Sequence, residues 1–306
     1  RSEEGAEMVY FLLSEEDTEP LTATLEDNVL VFSGTWNAHS YETLTKNRGN
    51  AGAVAFDLSN VTGFNRVPTL QDKDYVQVLV GEGVEVTGKN IVNTFNNTAD
   101  YLSLCVGYDF AIPNNIHAAK VELNLNATPG EWVLVTVPCN FTVPEGVQAK
   151  QIDSHSSTGI TNKTSIVTEL EAGKTYLMMI SSSSRQVLTA TDVDVVAEPV
   201  ENVDAALKGT FVNTTIPQEA FYLDNDYFRL AKESVDVAAF GGYFAPSDVK
   251  KDFRSASNLS TDPIYVTMAK NIALAHETYD KYSSIVSDET CEDMQASIAS
   301  CEHAFT

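Results

Sequence analysis

The chain has 306 residues, enough for two or three domains, and its hydrophobic fraction of 43% is high enough to bury sizeable cores. Its 43 acidic residues outnumber its 19 basic residues, and a net charge of −24 makes nucleic acid and anionic membrane surfaces unfavourable partners. The sequence contains no run of about 20 apolar residues, so we expect no membrane insertion of this segment. Residues 1–20 are rich in acidic side chains, which predicts a solvated N-terminal segment, or lead-in, ahead of the first domain.

Short apolar segments recur through the first third of the chain. They begin at Val29, Ala53, Tyr75 and Tyr101, at intervals of 24, 22 and 26 residues. A strand and its connector repeating every roughly 20–29 residues is the period of a leucine-rich-repeat solenoid, in which each turn buries its apolar face against the next. We therefore predict a short α/β solenoid of this kind over residues 21–115.

From residue 116 the pattern changes to the alternation that is typical of antiparallel strands. Val121, Leu123 and Leu125 alternate with polar residues, and further short strands separated by turn residues continue to residue 257. Many short strands with frequent turns favour two sheets packed face to face. The sequence predicts an antiparallel β-sandwich over residues 116–257.

The last segment, residues 258–306, has the pattern of a helical hairpin. Asp262 suits an N-cap, and Pro263 suits the first helical position. An apolar stripe follows at helical spacing, formed by Ile264, Met268, Ile272, Ala275, Tyr279, Met294 and Ile298. Two short helices cannot bury this stripe between themselves, so we expect the hairpin either to dock on the sandwich or to form a homodimer interface.

The four cysteines are too few for a disulfide scaffold. Cys105 and Cys139 belong to separate predicted strands, and the sequence leaves open whether they pair. Cys291 and Cys301 belong to one predicted helix, where ten residues rise about 15 Å. A disulfide needs Cα atoms within about 7 Å, so a continuous helix would keep these two apart, and we expect buried free thiols.

A series of short motifs extends along the chain from about residue 53 to residue 257. They are Phe56-Asp57-Leu58-Ser59, Gly83-Val84-Glu85-Val86, Asn93 to Asn97, Leu102-Ser103-Leu104, Asp109 to Pro113, Ala118-Ala119-Lys120, Trp132 to Pro138 and Ala172 to Leu177. In this order they resemble motifs of the leucine-rich-repeat cell-surface proteins of gut and oral anaerobic bacteria. Thr136-Val137-Pro138 stands where that family has Cys-Leu-Pro, and the helical tail has no counterpart there. The resemblance implies an exported, often lipid-anchored protein that displays its repeats to hosts or partners, and it implies no catalytic residues.

Motifs that would indicate catalysis or metal binding are missing or incomplete. The sequence has no Gly-x-Ser-x-Gly elbow, phosphate-binding loop or dinucleotide fingerprint. His276-Glu277 begins a His-Glu-x-x-His zinc pattern, but Asp280 stands where the second histidine is needed. The run Asp224-Asn225-Asp226 suits a hairpin turn better than a calcium loop. We therefore expect that the protein binds no metal or cofactor and is not an enzyme. Among 43 carboxylates some pairs will lie close together, so a glycan hydrolase stays open as the alternative.

The candidate binding residues are aromatic and lie close together near the end of the predicted sandwich. They are Tyr222, Tyr227, Phe228, Tyr243 and Phe244. Exposed in a row, they would stack on sugar rings or form a protein-binding hot spot, whereas alternating inward they would be core. We expect a secreted or cell-surface, non-catalytic binding or adhesion module for a host or neighbouring-cell protein or glycan. The alternatives are a glycan-binding accessory or hydrolase and, less favoured, a structural spacer.

Overall fold

The computed structural model of the chain describes residues 21–26, 29–36, 55–63, 75–84, 88–154, 163–183, 186–202, 206–224, 227–245, 253–254, 262–283 and 285–305. Within these residues the protein is mainly β, with several sheets and two C-terminal helices, which confirms the predicted mainly β class and the helical pair. The predicted lead-in, residues 1–20, lies outside the described residues.

The strands and helices are named in chain order. They are β1 (Thr22–Glu26), β2 (Val29–Thr35), β3 (Ala55–Thr62), β4 (Gln77–Val80), β5 (Ile91–Asn93), β6 (Thr98–Cys105), β7 (Ile116–Asn124), β8 (Val133–Thr136), β9 (Phe141–Thr142), β10 (Val147–Ser154), β11 (Lys163–Val167), β12 (Glu169–Leu170), β13 (Thr175–Ile180), β14 (Val187–Val195), β15 (Leu207–Gly209), β16 (Thr214–Ile216), β17 (Phe221–Asp224), β18 (Tyr227–Leu230), β19 (Val235–Val237), β20 (Gly242–Phe244), β21 (Phe253–Arg254), α1 (Asp262–Tyr282) and α2 (Asp288–Phe305).

The largest sheet has the strand order β1-β2-β3-β4-β5-β6-β7-β14. Strands β2 to β5 pair in parallel in sequence order, whereas β6 pairs antiparallel with β5 and parallel with β7. The sheet continues across residue 115, so strands of the predicted solenoid and of the predicted sandwich are bonded within one sheet. The connectors at 37–54 and 64–74 lie outside the described residues, and the solenoid, the sandwich and their boundaries stay predictions.

A four-stranded sheet, β11-β10-β13-β8, lies between two apolar cores. Because side chains of a strand alternate between its faces, Tyr176 and Met178 of β13 belong to the core shared with the largest sheet. Leu177 and Met179 belong to the second core, shared with the sheet β15-β20-β17-β18-β21. This middle sheet is therefore buried on both faces along β13, whose six residues are all buried.

Two glycines allow the five-stranded sheet to lie very close to the middle sheet. A Cβ atom on Gly209 would lie 2.6 Å from the Oγ1 atoms of both Thr136 and Thr175, and one on Gly242 would lie 2.8 Å from Thr175 Cγ2. The two threonine hydroxyls are themselves 2.9 Å apart, and Thr136 donates a hydrogen bond to the carbonyl oxygen of Gly241 at 2.5 Å. Glycine is required at these strand positions because the neighbouring sheet fills the space that a side chain would occupy.

The helical hairpin docks on the β region through one face of α1. Ile272 is 3% exposed and belongs to the same core as Phe221 and Phe228, with Met268 packed against its edge. The sequence left open whether the hairpin docks on the sheets or forms a dimer interface. The structure shows docking on the sheets for the face of α1 that carries Ile272. The side chain of Ile264, the first residue of the predicted stripe, lies outside the described residues.

A polar contact joins the two helices to the end of β13. Glu302 of α2 is 1% exposed, and its Oε1 atom lies 3.0 Å from His276 Nε2 of α1 and 3.3 Å from Ser181 Oγ. A buried carboxylate is tolerated only where it has such partners. His276, which the sequence offered as part of an incomplete zinc pattern, therefore has a structural partner.

All four cysteines are free thiols. Helix α2 is unbroken between Cys291 and Cys301, which agrees with the expectation that these two do not pair. The expectation that they are buried is wrong, because Cys301 is exposed and Cys291 is only half-buried, with its thiol donating to the Ser283 carbonyl at 3.4 Å. Cys105 and Cys139 are buried and unlinked, and burial raises the pKa of Cys139 to about 12.

Candidate functional site

The structure separates four of the five aromatic candidates by the face of the sheet they occupy. Phe228 and Phe244 are fully buried in the second core, with ring centroids 4.8 Å apart in an edge-to-face contact. They cannot contact a ligand there, so as binding residues these two are corrected to core residues. Tyr222 and Tyr243 are register partners on the opposite face and are only half-buried. The side chain of Tyr227 lies outside the described residues.

Tyr243 lines a cleft of about 290 Å³ between the five-stranded sheet and the edge of the largest sheet. Its other walls come from the segment after β6, the segment after β14 and the segment after β15. The side chains that give the cleft its character are Phe110, Glu198, Pro199, Thr210, Phe211 and Tyr243. Tyr222 does not line the cleft, although it is the cross-strand partner of Tyr243.

Three phenylalanine rings form the support beneath this cleft. The centroids of Phe110 and Phe211 are 5.8 Å apart, and the ring of Phe240 lies 5.8 Å from the first and 5.5 Å from the second. Phe240 has a φ angle of 59°, a left-handed conformation that is costly for a bulky residue. Its ring is fully buried, so packing in this aromatic group offsets the backbone strain and holds the floor in place.

Hydrogen bonds fix the rim of the cleft. The hydroxyls of Thr210 and Thr214 are 2.7 Å apart, and the backbone N–H of Phe110 donates to the carbonyl of Phe211 at 2.8 Å. The loop that carries Glu198 is tied down at Ala197, whose N–H donates to Asn115 Oδ1 at 2.8 Å. These bonds connect segments from three parts of the chain, so the cleft is pre-formed.

The cleft is small, apolar at its base and polar at its rim. Ligand pockets are commonly about 300–1,000 Å³, so a volume of about 290 Å³ suits one sugar ring or one side chain of a partner protein. The half-buried ring of Tyr243 supplies a stacking surface, and its hydroxyl can orient a polar ligand. The hydroxyls of Thr210 and Thr214 bond to each other and to the Val212 carbonyl, so they hold the rim in shape. Glu198 is the one acidic residue among those lining the cleft. A glycosidase of the usual kind needs two carboxylates, so this arrangement is better suited to binding.

A second polar group, centred on His117, has no sequence signal. His117 lies 3.0 Å from Asp194 through Nδ1 and 3.0 Å from Asp192 through Nε2, because β7 and β14 are neighbours in the largest sheet. Hydrogen bonds to Asp194 and then to Asp192 raise the pKa of the His117 imidazole. All three side chains are exposed at the surface. We interpret their contacts as surface ion pairs and assign them no catalytic or binding role.

Across the described part of the chain, no group of three or more His, Cys, Asp and Glu side chains is placed to hold a metal ion. In the same residues neither helix has the length and hydrophobicity needed to cross a bilayer. Compared with protein-family models, curated proteins and solved structures, the chain matches none of them.

Proposed function

We propose that the protein is a non-catalytic binding module whose ligand enters the Tyr243 cleft. The observation that carries this proposal is the cleft itself, a pre-formed concave site with an aromatic floor, a half-buried tyrosine and a hydroxyl rim. Its ligand is a ring-shaped group, either a sugar or an exposed side chain of a partner protein. The single carboxylate of Glu198 favours binding over hydrolysis.

The proposal extends to the cell surface or the extracellular space, where the module would act in adhesion to a host or neighbouring cell. The motif resemblance supports this location. A leucine-rich-repeat-like solenoid is part of the same proposal, and it is supported by the parallel, in-order pairing of β2, β3, β4 and β5.

The test compares two tyrosines that are register partners but differ in access to the cleft. The probes are a panel of methyl glycosides and a panel of N-acetyl amino-acid amides, screened by ligand-observed NMR and titrated by calorimetry. A bound probe should lose about tenfold in affinity in Tyr243→Ala, since a lost aromatic contact is worth about 1 kcal/mol or more. Tyr222→Ala is the matched control and should change affinity by less than about twofold.

Two results would count against the proposal. Equal loss of binding in Tyr243→Ala and Tyr222→Ala, or no binding of any probe, would remove the cleft as the ligand site. Hydrolysis of a glycoside by the wild-type protein, abolished in Glu198→Gln, would show that the module is an enzyme.

A further inference from the structure

The Tyr243 cleft has one charge of its own, and that charge is negative and unpaired. Glu198 lines the cleft and is exposed to solvent. No residue in the described part of the chain donates a hydrogen bond to its carboxylate or forms an ion pair with it. Lysine, arginine and histidine are absent from the described residues that line the cleft. The Glu198 carboxylate is therefore available to a cationic ligand.

The charges around the cleft keep this region acidic. Asp109 directly precedes one wall segment and accepts hydrogen bonds from the backbone N–H of Asn213 and from its side-chain amide, the second at 2.7 Å. Both donors are neutral, so they do not cancel the charge of Asp109. Lys208 is the cross-strand partner of Tyr243, but its ammonium group already pairs with Glu201 at 3.6 Å. The net charge of −24 adds a field of the same sign, which raises the local concentration of cations.

Tyr243 supplies the second feature needed to hold a flat cation. Its side chain packs against the small core formed by Ile216, Ala220 and Ala231, which fixes the orientation of the ring. The same side chain lines the cleft and is only half-buried, so part of it stays accessible to a ligand. Cations are attracted to the face of an aromatic ring. A guanidinium group is planar, so it can stack on such a ring and still pair with a carboxylate, whereas an ammonium group acts as a point charge.

We propose that the cleft binds an arginine side chain of a partner protein. This inference rests on the proposed function of the cleft, and it narrows the ligand to one flat, cationic side chain. The guanidinium group stacks on Tyr243 and donates hydrogen bonds to the Glu198 carboxylate. The cleft volume of about 290 Å³ suits one such side chain. A neutral sugar gains nothing from the acidic surroundings, so the charge of the cleft favours arginine over a sugar.

The experiment titrates the full chain with N-acetyl-arginine amide and N-acetyl-citrulline amide, followed by NMR and calorimetry. Citrulline has the length and the flat end of arginine but no charge, so the pair of probes isolates the effect of charge. The arginine probe should bind about fivefold more tightly, the size expected for an exposed ion pair. Glu198→Gln should abolish this preference. Glu145→Gln is the matched control, because Glu145 is also exposed and does not line the cleft, and it should retain the preference.

The outcomes separate this inference from the proposed function. Equal affinity for the two probes, or a preference for arginine that survives Glu198→Gln or that Glu145→Gln abolishes as well, would overturn the arginine assignment. An N-acetyl-lysine amide that binds as tightly as the arginine probe would overturn it too, because charge alone would then be recognised. If both probes bind equally and both lose affinity in Tyr243→Ala, the cleft remains a binding site and only the cation is wrong. If neither affinity changes in Tyr243→Ala, or neither probe binds, the arginine assignment is wrong; unchanged affinities also remove the cleft as the site.

Discussion

Replacing Gly209 by alanine tests the close contact between the five-stranded sheet and the middle sheet. Gly209 has no positive φ angle, so the backbone permits alanine, and glycine within a strand is ordinarily unfavourable. Local propensity alone therefore predicts that Gly209→Ala stabilises the protein. The tertiary contacts predict the opposite, because the new Cβ would lie 2.6 Å from the hydroxyls of Thr136 and Thr175.

The size of the effect follows from three contributions. Forcing an extra methyl group into a packed contact costs about 1–3 kcal/mol, and disturbing the hydrogen bond that Thr136 donates to the Gly241 carbonyl costs about 1 kcal/mol more. Alanine also lowers the conformational entropy of the unfolded chain relative to glycine, and this offsets about 0.4–1 kcal/mol of the destabilisation. The net destabilisation is about 2 kcal/mol, which corresponds to a fall in Tm of about 4–8 °C.

The assay is thermal denaturation followed by circular dichroism, with urea denaturation to obtain the free energy of unfolding. Lys208→Ala on the same strand is the control, because the Lys208 side chain is 42% exposed and pairs with Glu201 only at the surface, so the free energy should change by less than about 0.5 kcal/mol. If Gly209→Ala melts at or above the wild-type temperature, the close sheet contact and the reasoning built on it are wrong.

Two further predictions concern the hairpin and the outer face of the largest sheet. Ile272→Ala removes the buried anchor of α1 and should lower the free energy of unfolding by about 2–4 kcal/mol; unchanged urea denaturation together with unchanged hydrogen exchange in the hairpin would contradict its docking. The hydrogen bond from Lys120, at 2.7 Å, and then the one from Tyr101 hold the pKa of Glu122 below its ordinary value of about 4.3. Glu122 therefore contributes stability above that pH and loses it as the pH falls through the lowered pKa. Glu122→Gln should lower the Tm at pH 7 by an amount that corresponds to about 1 kcal/mol or less and should leave it unchanged near pH 2, whereas a constant difference across this range would refute the assignment.

The sequence by itself determined where several strands and the first helix of the hairpin begin. Val29 begins an apolar segment and also begins β2, and Asp262 is both the predicted N-cap and the first residue of α1. Alternation at Val121 and Leu123 places both side chains in the core, because the period of two is a property of the strand backbone. These outcomes depend on residues close together in sequence, and local periodicity and capping are sufficient to predict them.

The sequence did not determine which aromatic residues meet solvent. Phe244 and Tyr243 are adjacent on β20, and both are aromatic, yet the first is core and the second lines the cleft. The difference arises because the middle sheet covers one face of the five-stranded sheet, and no local pattern specifies that covering layer. The burial of Ile272 beside the exposure of Leu274 has the same origin, since only the docking of α1 decides which side of the helix is covered.

The cleft and the His117 group depended entirely on the tertiary structure. Phe110, Pro199 and Phe211 come from segments separated by up to about 100 residues, and they meet because β7 pairs with β14 and the five-stranded sheet packs beside them. His117 and Asp192 are likewise 75 residues apart and become neighbours through that strand pair. Local sequence sets which segments can form strands and helices, whereas the packing of distant segments sets which side chains gather into a site, because that packing energy belongs to no single segment.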